Sequence, residues 1–162
     1  MANRVLAINA DDLLTALRER SPQVESWLDC ETGEIYQISA LFADDDVEDD
    51  PAFVSAMQQT PARFLRLPST PAALGFQTMQ AFCAQTEPAL RASLQAALQR
   101  QRAFFHFQDV LRSQPAVDAR WQAFSRDATL AWAQAWLRER QILVQWQHSP
   151  DTAAQTEQAT KT

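Results

Sequence analysis

Three carboxylates crowd one short stretch of this chain: Asp29, Glu31 and Glu34 flank Gly33 in the run WLDCETGEIYQI. Carboxylates that close can share a proton or hold a cation, so a metal or acid–base site is one reading. Acids beside a glycine turn are also ordinary hairpin chemistry, and that reading is preferred. A second candidate is His106, three residues before Asp109, a spacing that lets the two pair on a helix surface. A general base needs an oriented second group, and a nucleophile needs such a base. No Ser or Cys is sequentially placed to complete that set, so no catalytic residue is assigned.

The third candidate is residues 44–50, DDDVEDD, with six acids and no base: Asp44, Asp45, Asp46, Glu48, Asp49 and Asp50. A calcium loop needs a glycine at its sharp bend and a terminal bidentate Glu, and this stretch has neither. Like charges in a block repel and stay extended, so a solvated loop is expected. The sharper alternative is docking to a basic surface on a protein partner. Zinc requires about four Cys or His ligands. The chain holds two Cys, Cys30 and Cys83, and two isolated His. With only Gly33 and Gly75, a glycine-rich phosphate loop has no residues to form it. No cofactor and no metal is therefore expected.

Elements must position these groups. Length and composition suit one soluble globular domain: 162 residues, 46% hydrophobic and 21% charged. The net charge of −6 is local, because without residues 44–50 the chain has 14 basic and 14 acidic side chains. No apolar run is long enough to cross a bilayer, and the opening MANRVLAINADD lacks a secretory pattern. A cytoplasmic protein with reduced thiols is expected.

Asn9 suits the cap of a helix through residues 12–20, with Leu13, Leu14 and Leu17 as its apolar stripe. Strands follow at 27–29 and 34–38, returning at Gly33, which tolerates the positive φ of a tight turn. After the acidic stretch come a short helix at 52–59 and a third strand at 63–67. Residues 5–8 are read as an added edge of this antiparallel sheet. Ser69 or Thr70 should cap a helix from Pro71, and Thr86 with Pro88 a second one through Leu90, Leu94 and Leu98. Helices are expected at 103–112 and 118–141, the latter with a break near Ser125. A last strand fits 142–146. The reading is α+β: a small antiparallel sheet of about three strands packed against four to five helices. Residues 1–147 form one domain and residues 148–162 a disordered tail.

In this order, LDCETGEIY, the acidic stretch, FLRLPS, AFFHFQDVL, WQAF and WLRERQI resemble the bacterial Uncharacterised Protein Family 0158. The resemblance covers roughly residues 11–142. It implies no activity, since the family has none assigned, and no catalytic residue carries over. The family pattern resembles glycine-alanine-phenylalanine-arginine-arginine-phenylalanine-lysine. Here Phe105 and His106 stand at the two Arg positions and Gln108 at the Lys position, so most of that basic patch is absent.

At about 100° per residue, Ala103, Phe104, Phe107, Val110 and Leu111 share a face that is read as core. Phe105 points nearly the opposite way. Packing beneath a neighbouring segment is the preferred reading, and an exposed anchor for a partner the sharper one. Trp132 and Trp136, one turn apart, and Trp121 with Phe124 are read as core. Arg120, Arg126, Arg138 and Arg140 offer a basic surface, but overall acidity opposes phosphate affinity. The expected function is a non-enzymatic protein-interaction or regulatory module that contacts an unidentified protein through the acidic residues 44–50 or through the surface of Phe105 and His106. A nucleic-acid-associated module using the C-terminal-half Arg residues is the alternative. An enzyme with a carboxylate site is a weaker one, and no membrane association is expected.

Overall fold

The helix-and-strand signals resolve into six α-helices and five strands in the computed structural model, which describes residues 3–39 and 51–148. The class is α+β, as the sequence implied. The chain forms two compact units, Met1–Ser69 with Gln134–Thr162 and Thr70–Ala133.

The first unit begins with β1 (Arg4–Asn9) and α1 (Ala10–Arg18). Asn9 caps α1 as its sequence position predicted: its side-chain oxygen accepts from the amides of Asp11 and Asp12 at 2.9 and 3.1 Å. Such a cap satisfies two donors that the first helical turn leaves without partners. Leu13, Leu14 and Leu17 lie buried along one stripe of α1. A hairpin follows, β2 (Val24–Asp29) and β3 (Ile35–Ser39), with Trp27 opposite Tyr36. Then come α2 (Pro51–Gln59), a 3₁₀ turn at Pro61–Arg63 and β4 (Phe64–Leu67). β4 pairs with β2 and completes a three-stranded antiparallel sheet of order β3-β2-β4. Tyr36, Phe53 and Phe64 pack ring to ring beside it, with Tyr36 stacked on Phe53 at 4.2 Å.

Residues 5–8 do not extend this sheet. They form β1, which pairs in parallel with β5 (Ile142–Gln147) in a separate two-stranded sheet, Leu6 opposite Val144. The partner lies at the far end of the chain, so no local pattern announces it. β1 instead runs close past the hairpin turn. Arg4 Nη1 donates to the Cys30 carbonyl at 2.8 Å. The Ala7 carbonyl comes so near Gly33 that a Cβ there would lie 2.0 Å from its oxygen.

The second unit is helical: α3 (Ala72–Cys83), α4 (Pro88–Leu98), α5 (Ala103–Arg112) and residues 115–133 of α6 (Pro115–Arg138). Its core joins Met79, Phe82, Cys83, Leu94, Leu98, Phe107, Leu111 and Trp121. Edge-to-face contacts between Phe107 and Trp121 at 4.8 Å and Phe82 and Trp121 at 5.4 Å organise it. Aromatic rings favour such geometry because a positive ring edge meets a negative face.

Two caps differ from expectation. Pro71 stands at the start of α3, which has no side-chain cap, while Ser69 Oγ donates to the Glu19 carbonyl at 2.6 Å. The Thr86 hydroxyl turns back to the Cys83 carbonyl at 2.8 Å and closes α3, leaving α4 to start on Pro88 without a side-chain cap. Helix α6 also runs unbroken past Ser125. Thr129 Oγ1 donates to the Ser125 carbonyl at 2.9 Å, a bond that the helix absorbs without stopping. Trp132 and Trp136 are half-buried rather than core, and the buried residues near them on α6 are Thr129, Ala133 and Leu137.

Candidate interaction surface

The carboxylate trio comes together at one place, with its groups already engaged. Asp29 ends β2 and is 1% exposed. Its Oδ1 accepts from Arg63 Nε at 2.8 Å and from the Glu31 amide at 2.8 Å; its Oδ2 accepts from Arg63 Nη2 at 2.6 Å. The Arg63 guanidinium holds the Asp29 carboxyl well below its usual range, at about 2, and burial opposes that shift only partly. Arg63 is driven upward in return by its bonds to Asp29. Glu31 lies 3.3 Å from the outer nitrogen of Arg63, and Glu34 accepts from the Tyr36 hydroxyl. A carboxylate held ionised by a fork of charge-assisted bonds fixes a turn. It is poorly suited to exchanging protons near neutral pH. Among the described residues, no three His, Cys, Asp or Glu side chains come together in a group that could hold a metal ion.

Burial raises the proton affinity of both Cys30 and Cys83, which disfavours the nucleophilic thiolate. Asp109 pairs with Arg112 at 3.5 Å instead of with His106. The His106 ring lies edge-on to Phe105 at 5.4 Å.

A different feature stands out at the corner between α4 and α5. Arg102 precedes α5 in the left-handed conformation, φ 59° and ψ 47°. A side chain there is uncommon and costs energy, and such strain concentrates at functional positions. Its guanidinium lies over the Phe105 ring, 4.8 Å from the centroid. Phe105 is 45% exposed and the adjacent Phe104 is 56% exposed, whereas Phe107 and Leu111 on the same helix are fully buried. Phe105 is therefore exposed at the helix surface rather than packed beneath a neighbouring segment.

Phe104 is a correction to the sequence reading. It shares the helical face of Phe107 by angle, yet the core reaches only Ala103, Phe107, Val110 and Leu111. Phe104 sits in the first turn, where side chains lean toward the helix start. There it points past the packed layer. Angle was legible in the sequence; the end of the layer was not.

The charge around this corner is positive. Thr70–Ala133 carries six Arg against four acids, while the remaining residues carry eight basic against 16 acidic side chains. Arg100 and Arg102 lie exposed within five residues of Phe104 and Phe105. A separate groove of about 490 Å³ between α3 and α4 is lined by Phe76, Gln80, Cys83, Gln95, Leu98 and Gln99, with no charged group. Of the other Arg residues singled out, Arg120 donates to the Gln85 carbonyl at 3.5 Å and Arg140 to the Trp136 carbonyl at 2.9 Å. Arg140 also stacks at 3.6 Å on the Trp136 ring. The acidic residues Asp44, Asp45, Asp46, Glu48, Asp49 and Asp50 lie outside the described residues, as do residues 149–162 of the expected tail. Among the described residues, no helix is long and apolar enough to cross a membrane.

Comparison with known proteins gives a family and a relative. The family model described as Uncharacterised protein family (UPF0158) matches residues 3–158. A UPF0158 protein of Pseudomonas aeruginosa is 29% identical over 150 residues, 91% of this chain and 92% of that one. No solved structure matches the chain.

Proposed function

We propose that the chain, which belongs to the uncharacterised protein family UPF0158, is a non-enzymatic, cytoplasmic protein-interaction module. Its docking face is the first turn of α5, formed by Phe104 and Phe105 with Arg100 and Arg102. The observation that supports this reading is the exposure of two adjacent Phe side chains, 56% and 45%, beside a strained Arg. Exposed rings of this size lose hydration when covered, and aromatic and Arg side chains carry a large share of binding energy at protein interfaces. The positive charge of the helical unit selects the partner's chemistry: a protein segment with carboxylates next to an aliphatic or aromatic residue.

The Arg residues proposed for nucleic-acid contact support that alternative less well. Arg120 is committed to the Gln85 carbonyl and the Phe82 ring, and Arg140 to the carbonyl and ring of Trp136. No row of free Arg side chains tracks α6 as a phosphate backbone would require.

Three labelled probes test the proposal by fluorescence anisotropy: a peptide of alternating Asp and Leu-Phe pairs, an all-Asp peptide and a single-stranded oligonucleotide. The mixed peptide should bind best, and Phe105→Ser should abolish that binding with the melting temperature unchanged. Binding of the oligonucleotide alone at physiological salt would transfer the assignment to nucleic acid.

A further inference from the structure

We infer that the segment seated on the Phe104–Phe105 face is residues 41–50 of a second copy of this chain. This rests on the docking reading above and names its partner. The chain itself supplies the required chemistry: Leu41 and Phe42 directly precede six acids within residues 44–50. The face offers the complement, two exposed rings and the exposed cations Arg100 and Arg102. The opposite charges of the two parts of the chain make each copy a carrier of both halves of the match. In this pairing Leu41 and Phe42 cover the Phe rings and the carboxylates meet the guanidinium groups. A segment on one copy that fits a face on another is a heterologous contact, so assembly grows with concentration until symmetry closes it.

The contact has two separable parts. Charge attraction between exposed groups is screened within about 10 Å at ordinary ionic strength, so that part fades with salt. Ring burial does not. Self-association should therefore weaken with salt yet persist in part, and should vanish when the rings are removed.

Sedimentation equilibrium of the full chain, from micromolar to high micromolar concentration, is the test. The wild type should self-associate. Replacing the six acids by Asn and Gln should weaken this by about tenfold, and Phe105→Ser should abolish it. A labelled peptide of residues 40–50 should bind the neutralised chain, compete with wild-type assembly and fail on Phe105→Ser. An unrelated peptide of mixed acidic and apolar residues serves as the second probe. If the chain stays monomeric and only the unrelated peptide binds, the inference is overturned and the docking face stands. If neither peptide binds, both fall. A monomeric wild type whose neutralised form binds the 40–50 peptide more tightly would mean that the segment acts on its own chain, which also overturns assembly through a second copy.

Discussion

Asp29 and Arg63 face each other through two parallel hydrogen bonds, Nε to Oδ1 at 2.8 Å and Nη2 to Oδ2 at 2.6 Å. They tie the end of β2 to the turn before β4, 34 residues apart in sequence. The Cys30 amide adds a backbone bond to the Arg63 carbonyl at 2.9 Å. A cluster that resembled an acid–base site in sequence is thus a clamp on sheet geometry. Removing the Asp29 charge leaves Arg63 with the more exposed Glu31 at 3.3 Å, a weaker partner because water screens it. Asp29→Asn should lower unfolding free energy by about 2 kcal/mol, a loss of charge-assisted bonds, read by urea titration.

The same pair sets an acid dependence. The Asp29 carboxyl is depressed in the folded chain, from 3.8 to about 2. A depressed carboxyl stabilises the fold fully above its unfolded value and loses that contribution as pH falls through the folded value. Stability should decline from about pH 5 toward pH 2. Asp29→Asn should flatten this decline. If the two proteins show parallel curves by thermal melting across that range, the pair does not govern it.

Gly33 and Gly75 should respond in opposite directions to the same change. Gly33 has φ +82°, and its missing side chain makes room for the Ala7 carbonyl of β1. Gly33→Ala must push β1 away and hold a strained backbone, so a loss of about 2 kcal/mol or more is expected. Gly75 lies inside α3 with nothing within 4 Å of an added Cβ. Gly75→Ala should gain about 0.5–1 kcal/mol from helix propensity. Equal melting temperatures for the two variants would refute the close approach.

This contrast marks what the residues disclosed. The turn at Gly33, the cap at Asn9 and the span of α5 depend on neighbours a few positions away, and each was readable. The hairpin with a third strand was readable too, because alternation and turn residues are local. The partner of β1 was not, since β5 lies more than 130 residues later and a parallel pair has no connecting turn to betray it. The site divided along the same line. Phe105 could be placed off the core face by angle alone. Phe104 required knowing where the packed layer ends, and the αL backbone of Arg102 leaves no mark in residue type.

Phe105 and Phe107 are two residues apart and should behave as different kinds of residue. Phe107 is fully buried against Phe82 and Trp121. Phe107→Ala should cost about 3–5 kcal/mol, the transfer loss plus a cavity. Phe105→Ser should change stability by no more than about 0.5 kcal/mol, as surface substitutions do. Denaturant midpoints for both variants, with the slope checked for constancy, decide the matter. A large loss for Phe105→Ser would mean that its ring serves the fold, and the docking face would need to be redrawn around Phe104.

Arg102→Gly separates fold from function at a single position. Glycine adopts φ 59° without the steric penalty that a side chain pays there. The variant also deletes the guanidinium lying over Phe105 and one of the two exposed cations at the corner. Stability should hold or rise by up to about 1 kcal/mol, while affinity for an acidic–apolar segment falls and its salt dependence shrinks. A residue kept only for folding would give the reverse: a lower melting temperature and unchanged binding. Arg102→Lys refines the point, because it keeps the charge but gives up the flat stacking surface. Its binding should lie between that of the wild type and that of the glycine variant, with the salt dependence retained.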